Sequence, residues 1–141
     1  MAQKIGRYGY LGMAALFAAG IMTQVYFVGL SLLGGRPSWN DHIGLGHGLG
    51  FLALLLVILA YVGRQPRGTK NLTWATFAVY VLLADVVIFL RGTRGAVAAL
   101  HPVLAITLFA LVVTLLVRAW RSVKEESPAA TRTDMIQESG V

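Results

Sequence analysis

No cysteine occurs anywhere in the chain. That excludes disulfides, thiolate zinc sites, cysteine-ligated iron–sulfur clusters and covalent c-type haem attachment. Any cofactor must be held by His, Asp, Gln or the backbone. Charge is also scarce: 13% of the 141 residues are charged, against about 25% in an average soluble domain. Nothing matches a metalloprotease His-Glu-x-x-His, a Gly-x-Ser-x-Gly elbow or a phosphate-cradling loop ending in Lys-Ser/Thr. The net charge of +6 does not indicate nucleic acid. The basic residues gather at the ends of apolar runs and form no stripe interleaved with exposed aromatics.

What is abundant is apolar sequence, with 57% hydrophobic residues and a mean hydropathy of +0.70. A bilayer core about 30 Å thick is crossed by roughly 20 apolar helical residues. Four runs are long enough, at about residues 8–33, 39–62, 72–90 and 96–117. The first is longer than the roughly 7–15 apolar residues of a signal peptide and reads as a membrane helix. Short linkers (Gly34 to Ser38, Gly63 to Lys70, Gly92 to Gly95) favour antiparallel neighbours, with Ser38 a candidate N-cap. The expected fold is an all-α integral membrane four-helix up-down-up-down bundle over 1–118. A polar, solvated and flexible tail is expected over 119–141.

The distribution of Lys and Arg sets the expected orientation. Lys4, Arg7, Arg64, Arg67, Lys70, Arg118, Arg121, Lys124 and Arg132 fall on one side, and only Arg36, Arg91 and Arg94 on the other. Both termini are therefore expected in the cytoplasm. Tyr8, Tyr10, Tyr61, Trp74 and Trp120 lie near the inner interface and Trp39 near the outer one, as aromatic belts do.

Five polar side chains interrupt the spans: Gln24, His42, His47, Asp85 and His101. An ionisable group inside a span costs about 2.5–3.5 kcal/mol on insertion scales, so such groups normally face the bundle interior and have a partner. At about 1.5 Å of rise per residue, Gln24, His47, Asp85 and His101 fall in one layer of the outer leaflet, and His42 lies above it. Helix 2 also carries Gly44, Gly46, Gly48 and Gly50. Each weakens the helix by about 1 kcal/mol relative to alanine, which suggests close approach of something flat or of another backbone.

His42 and His47 are about 140° apart around a helix and do not readily grip one ion together. Histidines from two helices can instead ligate haem iron from opposite sides. His47 with His101 is the preferred pair, and His42 with His101 the alternative. Pro102 locally loosens helix 4 and helps to aim His101. Arg36, Arg91 and Arg94 would anchor the propionates, with Asp85 and Gln24 as hydrogen-bond partners of the ligands. Haem b and electron transfer, alone or within a membrane redox complex, is thus the leading expectation. A His/His/Asp transition-metal site is a weaker option. The rival class is a non-catalytic accessory subunit, docking on a membrane partner or a second copy through the glycine face of helix 2. Transport of protons or a small solute rests only on Asp85 and the histidines.

The order Gln24, then His42-x-x-x-Gly46-His47, then Leu100-His101-Pro102-Val103 resembles a family of small bacterial four-helix membrane proteins of unassigned function. The likeness covers residues 8–118 and implies topology and a bacterial cytoplasmic membrane rather than a chemistry. More loosely, histidines on paired helices look like those of transmembrane b-type cytochromes.

Overall fold

The computed structural model describes residues 2–34, 39–86, 97 and 99–138, with side chains described except at 85–86 and 126–138. Among these residues every element is helical. Helix α1 is Ala2–Leu32, α2 is Trp39–Val62, α3 is Arg67–Val81, and α4 is His101–Glu138. A π-helical turn, Leu82–Val86, continues α3. Three segments are long and apolar enough to cross a membrane: Ala2–Leu32, Trp39–Val62 and His101–Glu125.

The helix α2 has the expected limits, and the other three shift for identifiable reasons. The helix α1 starts six residues before the expected boundary, because the polar turn holding Lys4 and Arg7 is helical too. The helix α3 starts at Arg67, directly after Pro66, whose φ of −55° already suits a helix entry. The helix α4 is described from His101, after a turn in which the Leu100 amide donates to the Val97 carbonyl; the expected start near 96 lies outside the described residues. Pro102 therefore sits in the first helical turn, where its missing N–H removes no intrahelical bond. It starts the helix instead of loosening it. At the far end the backbone stays helical through Glu138, where a flexible tail was expected. Change of polarity marks the end of a span, but Lys, Glu and Ala are good helix formers on either side of it.

Side-chain contacts fix the arrangement. Gly6 lies against Gly63, Gly9 against Leu59, Gly20 against Leu49 and Gln24 against Gly46, so α1 and α2 are antiparallel. Tyr80 on Gly50 and Trp74 on Tyr61 make α2 and α3 antiparallel. Arg118 beside Gly68 and His101 beside Leu83 do the same for α3 and α4. The helix α4 closes the ring against α1, leaving α2 and α4 on one diagonal.

The interior is filled in two stretches. Tyr10, Ala14, Leu56, Ala60, Leu115 and Ala119 pack toward the end holding Gly6 and Gly63. Phe17, Ile21, Leu49, Ala53, Tyr80, Leu83, Leu108 and Val112 fill the other half. Burying such side chains is worth about 1.5–3 kcal/mol each in water. Between apolar helices in lipid, tight packing supplies the attraction instead. Tyr10, read as an interface residue, is fully buried. Tyr8, Tyr61, Trp74 and Trp120 are exposed, as belt residues should be.

The inward stripe of α3 is polar, formed by Thr69, Thr73, Thr76 and Tyr80. Thr73 and Thr76 donate to the carbonyls of Thr69 and Leu72 at 2.8 Å. Because the single Thr73 proton is used there, Tyr10 is the donor in its 2.6 Å bond to the Thr73 hydroxyl. Buried hydroxyls are thereby satisfied without water, as an apolar surrounding requires.

Candidate functional site at the His42 and His101 end

Above the second core stretch, polar groups from all four helices come close together. His42 of α2 and His101 of α4 meet across the diagonal, with ring centres 6.1 Å apart and planes inclined at 65°. Trp39, one turn before His42, sets its edge against that ring at 5.7 Å. His101 hydrogen bonds to the backbone of Leu83, within the π-helical turn. Such turns accommodate an extra residue and re-aim the groups around them. Here the turn places an acceptor carbonyl beside the first residue of α4.

One turn deeper, the Tyr80 hydroxyl donates to the Gly46 carbonyl at 2.9 Å. The Gln24 amide nitrogen lies 3.1 Å from where a Cβ on Gly46 would stand. Among the described residues two polar atoms are left over: Gln24 Oε1 and His42 Nδ1 are buried with no hydrogen-bond partner there. An unsatisfied buried polar atom costs about 1–3 kcal/mol; these two lie about one helical turn apart along α2.

The expected residues therefore divide. His42, His101 and Gln24 come together at one end of the bundle. His47 does not join them: its ring is exposed, and its Nδ1 lies 2.8 Å from the Ile43 carbonyl of its own helix. Of the two pairs weighed from the sequence, the structure brings the rings of His42 and His101 together and leaves His47 apart from His101. The cause is the roughly 140° between positions five apart, which lets only one of the two histidines face the axis.

The glycines divide as well. Gly46 and Gly50 are inward and already occupied, by Gln24 and by the Tyr80 ring. Gly44 and Gly48 have no neighbour within 4 Å of an added Cβ among the described residues. Asp85 belongs to the π-helical turn, but its side chain lies outside the described residues, as do Ser38, Arg36, Arg91 and Arg94. Among the described residues no three His, Asp or Glu side chains are grouped as a metal ion would need.

Tyr80, the Leu83 carbonyl and the contact role of Trp39 were missed in the sequence. A usable signal existed for Tyr80: Thr69, Thr73, Thr76 and Tyr80 repeat at the spacing of one helical face.

Bonds of about 2.0–2.1 Å from a metal to two imidazole nitrogens, plus the half-width of each ring, separate ring centres by about 6.4 Å. The His42–His101 distance is close to that value. A ligating histidine also normally gives its second nitrogen to a carbonyl or carboxylate, as His101 does with Leu83.

No curated protein and no solved structure matches the chain, so the looser likeness to b-type cytochromes has no counterpart among them. Over residues 24–89, from Gln24 through both helix 2 histidines to just short of α4, the chain is similar to a family described as a family of unknown function, DUF6220.

Proposed function

We propose that this chain is an integral membrane protein of four spans that binds haem b between His42 and His101 and carries electrons. The observation behind this reading is the pair of imidazoles on diagonal helices, spaced for one metal centre between them. The Leu83 contact of His101 and the unpartnered His42 Nδ1 add support. When bound, the iron would supply one-electron redox chemistry. The protein's part is to hold both rings, fix their tautomers and keep water out. Gln24 would act from beside the pair, and Arg36, Arg91 and Arg94 would anchor the propionates at the outer face. Gly46 and Gly50 make no room for the macrocycle, since Gln24 and Tyr80 fill them.

The uneven distribution of Lys and Arg supports cytoplasmic termini, and the resemblance to small bacterial membrane proteins supports a bacterial inner-membrane location. The test is a reduced-minus-oxidised spectrum of the purified, haem-supplied protein. A sharp α-band is expected, lost in His42→Ala and His101→Ala and kept in His47→Ala. A folded, colourless protein would defeat the proposal.

One observation favours the accessory-subunit reading. Gly44 and Gly48, one turn apart, face open space, and a partner helix could approach closely there. Colourless protein that co-purifies with a stoichiometric membrane partner, lost in Gly48→Leu, would support that alternative.

A further inference from the structure

The two facing imidazoles stand at one extreme of the bundle. His42 is in the first turn of α2, and His101 is the first residue of α4. Both helices run from there to the basic end, where Lys4, Arg7, Arg67, Lys70 and Arg118 lie. At about 1.5 Å per residue, roughly 30 Å of α2 separates His42 from Val62, and about 27 Å of α4 separates His101 from Ala119. Both stretches of packed interior fill that length. On the near side Trp39 joins the pair to the surface. Its edge meets the His42 ring at 5.7 Å, and the side chain is 50% exposed.

Electron tunnelling weakens exponentially with distance, so a centre placed in this way is close to one face of the membrane and remote from the other. A relay across the bilayer would need a second centre near the basic end. The chain has three histidines and no cysteine, and His42, His47 and His101 all lie in the half away from that end. No ligand pair of histidine or thiolate is left for a second centre.

Resting on the haem reading, we propose that the His42–His101 centre exchanges electrons only with one-electron carriers in the aqueous phase on the face opposite the two termini, and that Trp39 is the point of contact. The step moves one electron between centre and carrier, with no bond broken and no proton released. The indole is not itself oxidised. Its packed atoms bridge the space between the His42 ring and the surface, where tunnelling through an open gap would be weaker.

The experiment uses the full chain loaded with haem, reconstituted into sealed phosphatidylcholine vesicles, reduced and freed of reductant. Ferricyanide, a one-electron acceptor that does not cross lipid, is added outside. Parallel trypsin cleavage at the exposed Arg121 and Lys124 scores which molecules have their tails outward. The share of haem oxidised at once should equal the share of molecules with protected tails, and the remainder should react only after detergent. Prompt oxidation that instead follows the trypsin-accessible tails, or that is complete in sealed vesicles, overturns the assignment to one face.

Trp39→Leu should slow the prompt phase severalfold and Trp39→Phe less. Both should keep haem content and midpoint potential, which a merely structural role would shift. An unchanged rate in Trp39→Leu overturns the role of Trp39. A readout free of redox chemistry is the emission of Trp39, isolated by Trp74→Phe and Trp120→Phe. Haem uptake should quench almost all of it, and should quench distinctly less of Trp120 isolated in the same way, about 28 Å along α4 from His101. Equal quenching would contradict the placement. Folded protein without pigment defeats the haem reading, whereas pigment oxidised from the tail side leaves haem bound and refutes only its one-sided exchange.

Discussion

Two polar layers cross the interior of this bundle, and they are built on opposite terms. In the layer nearer the basic end, Tyr10, Thr73 and Thr76 spend their protons on partners within the fold. Toward the other end, Gln24 Oε1 and His42 Nδ1 are buried and unpaired among the described residues. A closed hydroxyl layer has nothing left to offer a ligand and acts as an internal fastening. An open layer costs stability unless something completes it. The contrast locates the candidate site better than the identity of any single residue.

The strongest way to break the comparison is to remove the members of the open layer one at a time. His42→Ala and His101→Ala should each abolish most haem uptake, measured as the pyridine haemochrome of purified protein. His47→Ala, on the exposed side of the helix, should leave it unchanged. Pigment that depends on His47 and not on His42 would return the pair to the one favoured by depth alone.

The next effect belongs to the basic end, where two backbones touch. A Cβ on Gly6 would stand 2.5 Å from the Gly63 amide nitrogen, and neither main chain can yield cheaply. Gly6→Ala should destabilise the protein by about 1–3 kcal/mol, the usual range for overpacking, in denaturant titrations in mixed micelles. An unchanged midpoint would mean that α1 and α2 do not cross here.

Much of this was legible in the sequence, and the failures share one cause. Apolar length alone located α2, and depth counting brought Gln24 and His101 to the same end of the bundle. What a one-dimensional reading could not fix was rotation about each helix axis. His47 matches His101 better in depth than His42, but the two point about 140° apart around α2, and depth counting favoured the one whose ring faces away from His101. Gly44, Gly46, Gly48 and Gly50 looked like one surface, whereas successive even positions swing through about 200° and divide between inside and outside. Tyr10 looked like a belt residue and Tyr80 went unread, because a hydroxyl in an apolar run gives no sign of which carbonyl or hydroxyl it will meet.

A smaller effect probes the closed layer. Tyr10→Phe deletes the donor to Thr73 and should cost about 0.5–1.5 kcal/mol. The coupling with Thr73→Val in a double-mutant cycle should be about 0.6 kcal/mol, typical of polar pairs between membrane helices. Additive single costs would remove the bond from the account of this layer. Heme uptake should be unaffected by either change, which separates fastening from site.

The smallest effects are expected at the outward glycines, and they decide what α2 is for. Among the described residues nothing stands within 4 Å of a Cβ on Gly44 or Gly48. Alanine there should be neutral or stabilising by up to about 1 kcal/mol, the helix-propensity gain over glycine. At Gly50 the Tyr80 hydroxyl lies 2.7 Å from the added carbon, so Gly50→Ala should destabilise. The same three variants, compared by unfolding midpoint and by size-exclusion chromatography in detergent, separate the uses of the glycine run. Neutrality at 44 and 48 with an unchanged elution volume would mean that this stripe faces lipid. A loss of stability or a shift to smaller size at 44 and 48 would mean that another helix packs against them. The open face would then be a docking surface, and the accessory-subunit reading would gain the support that the haem reading draws from His42 and His101.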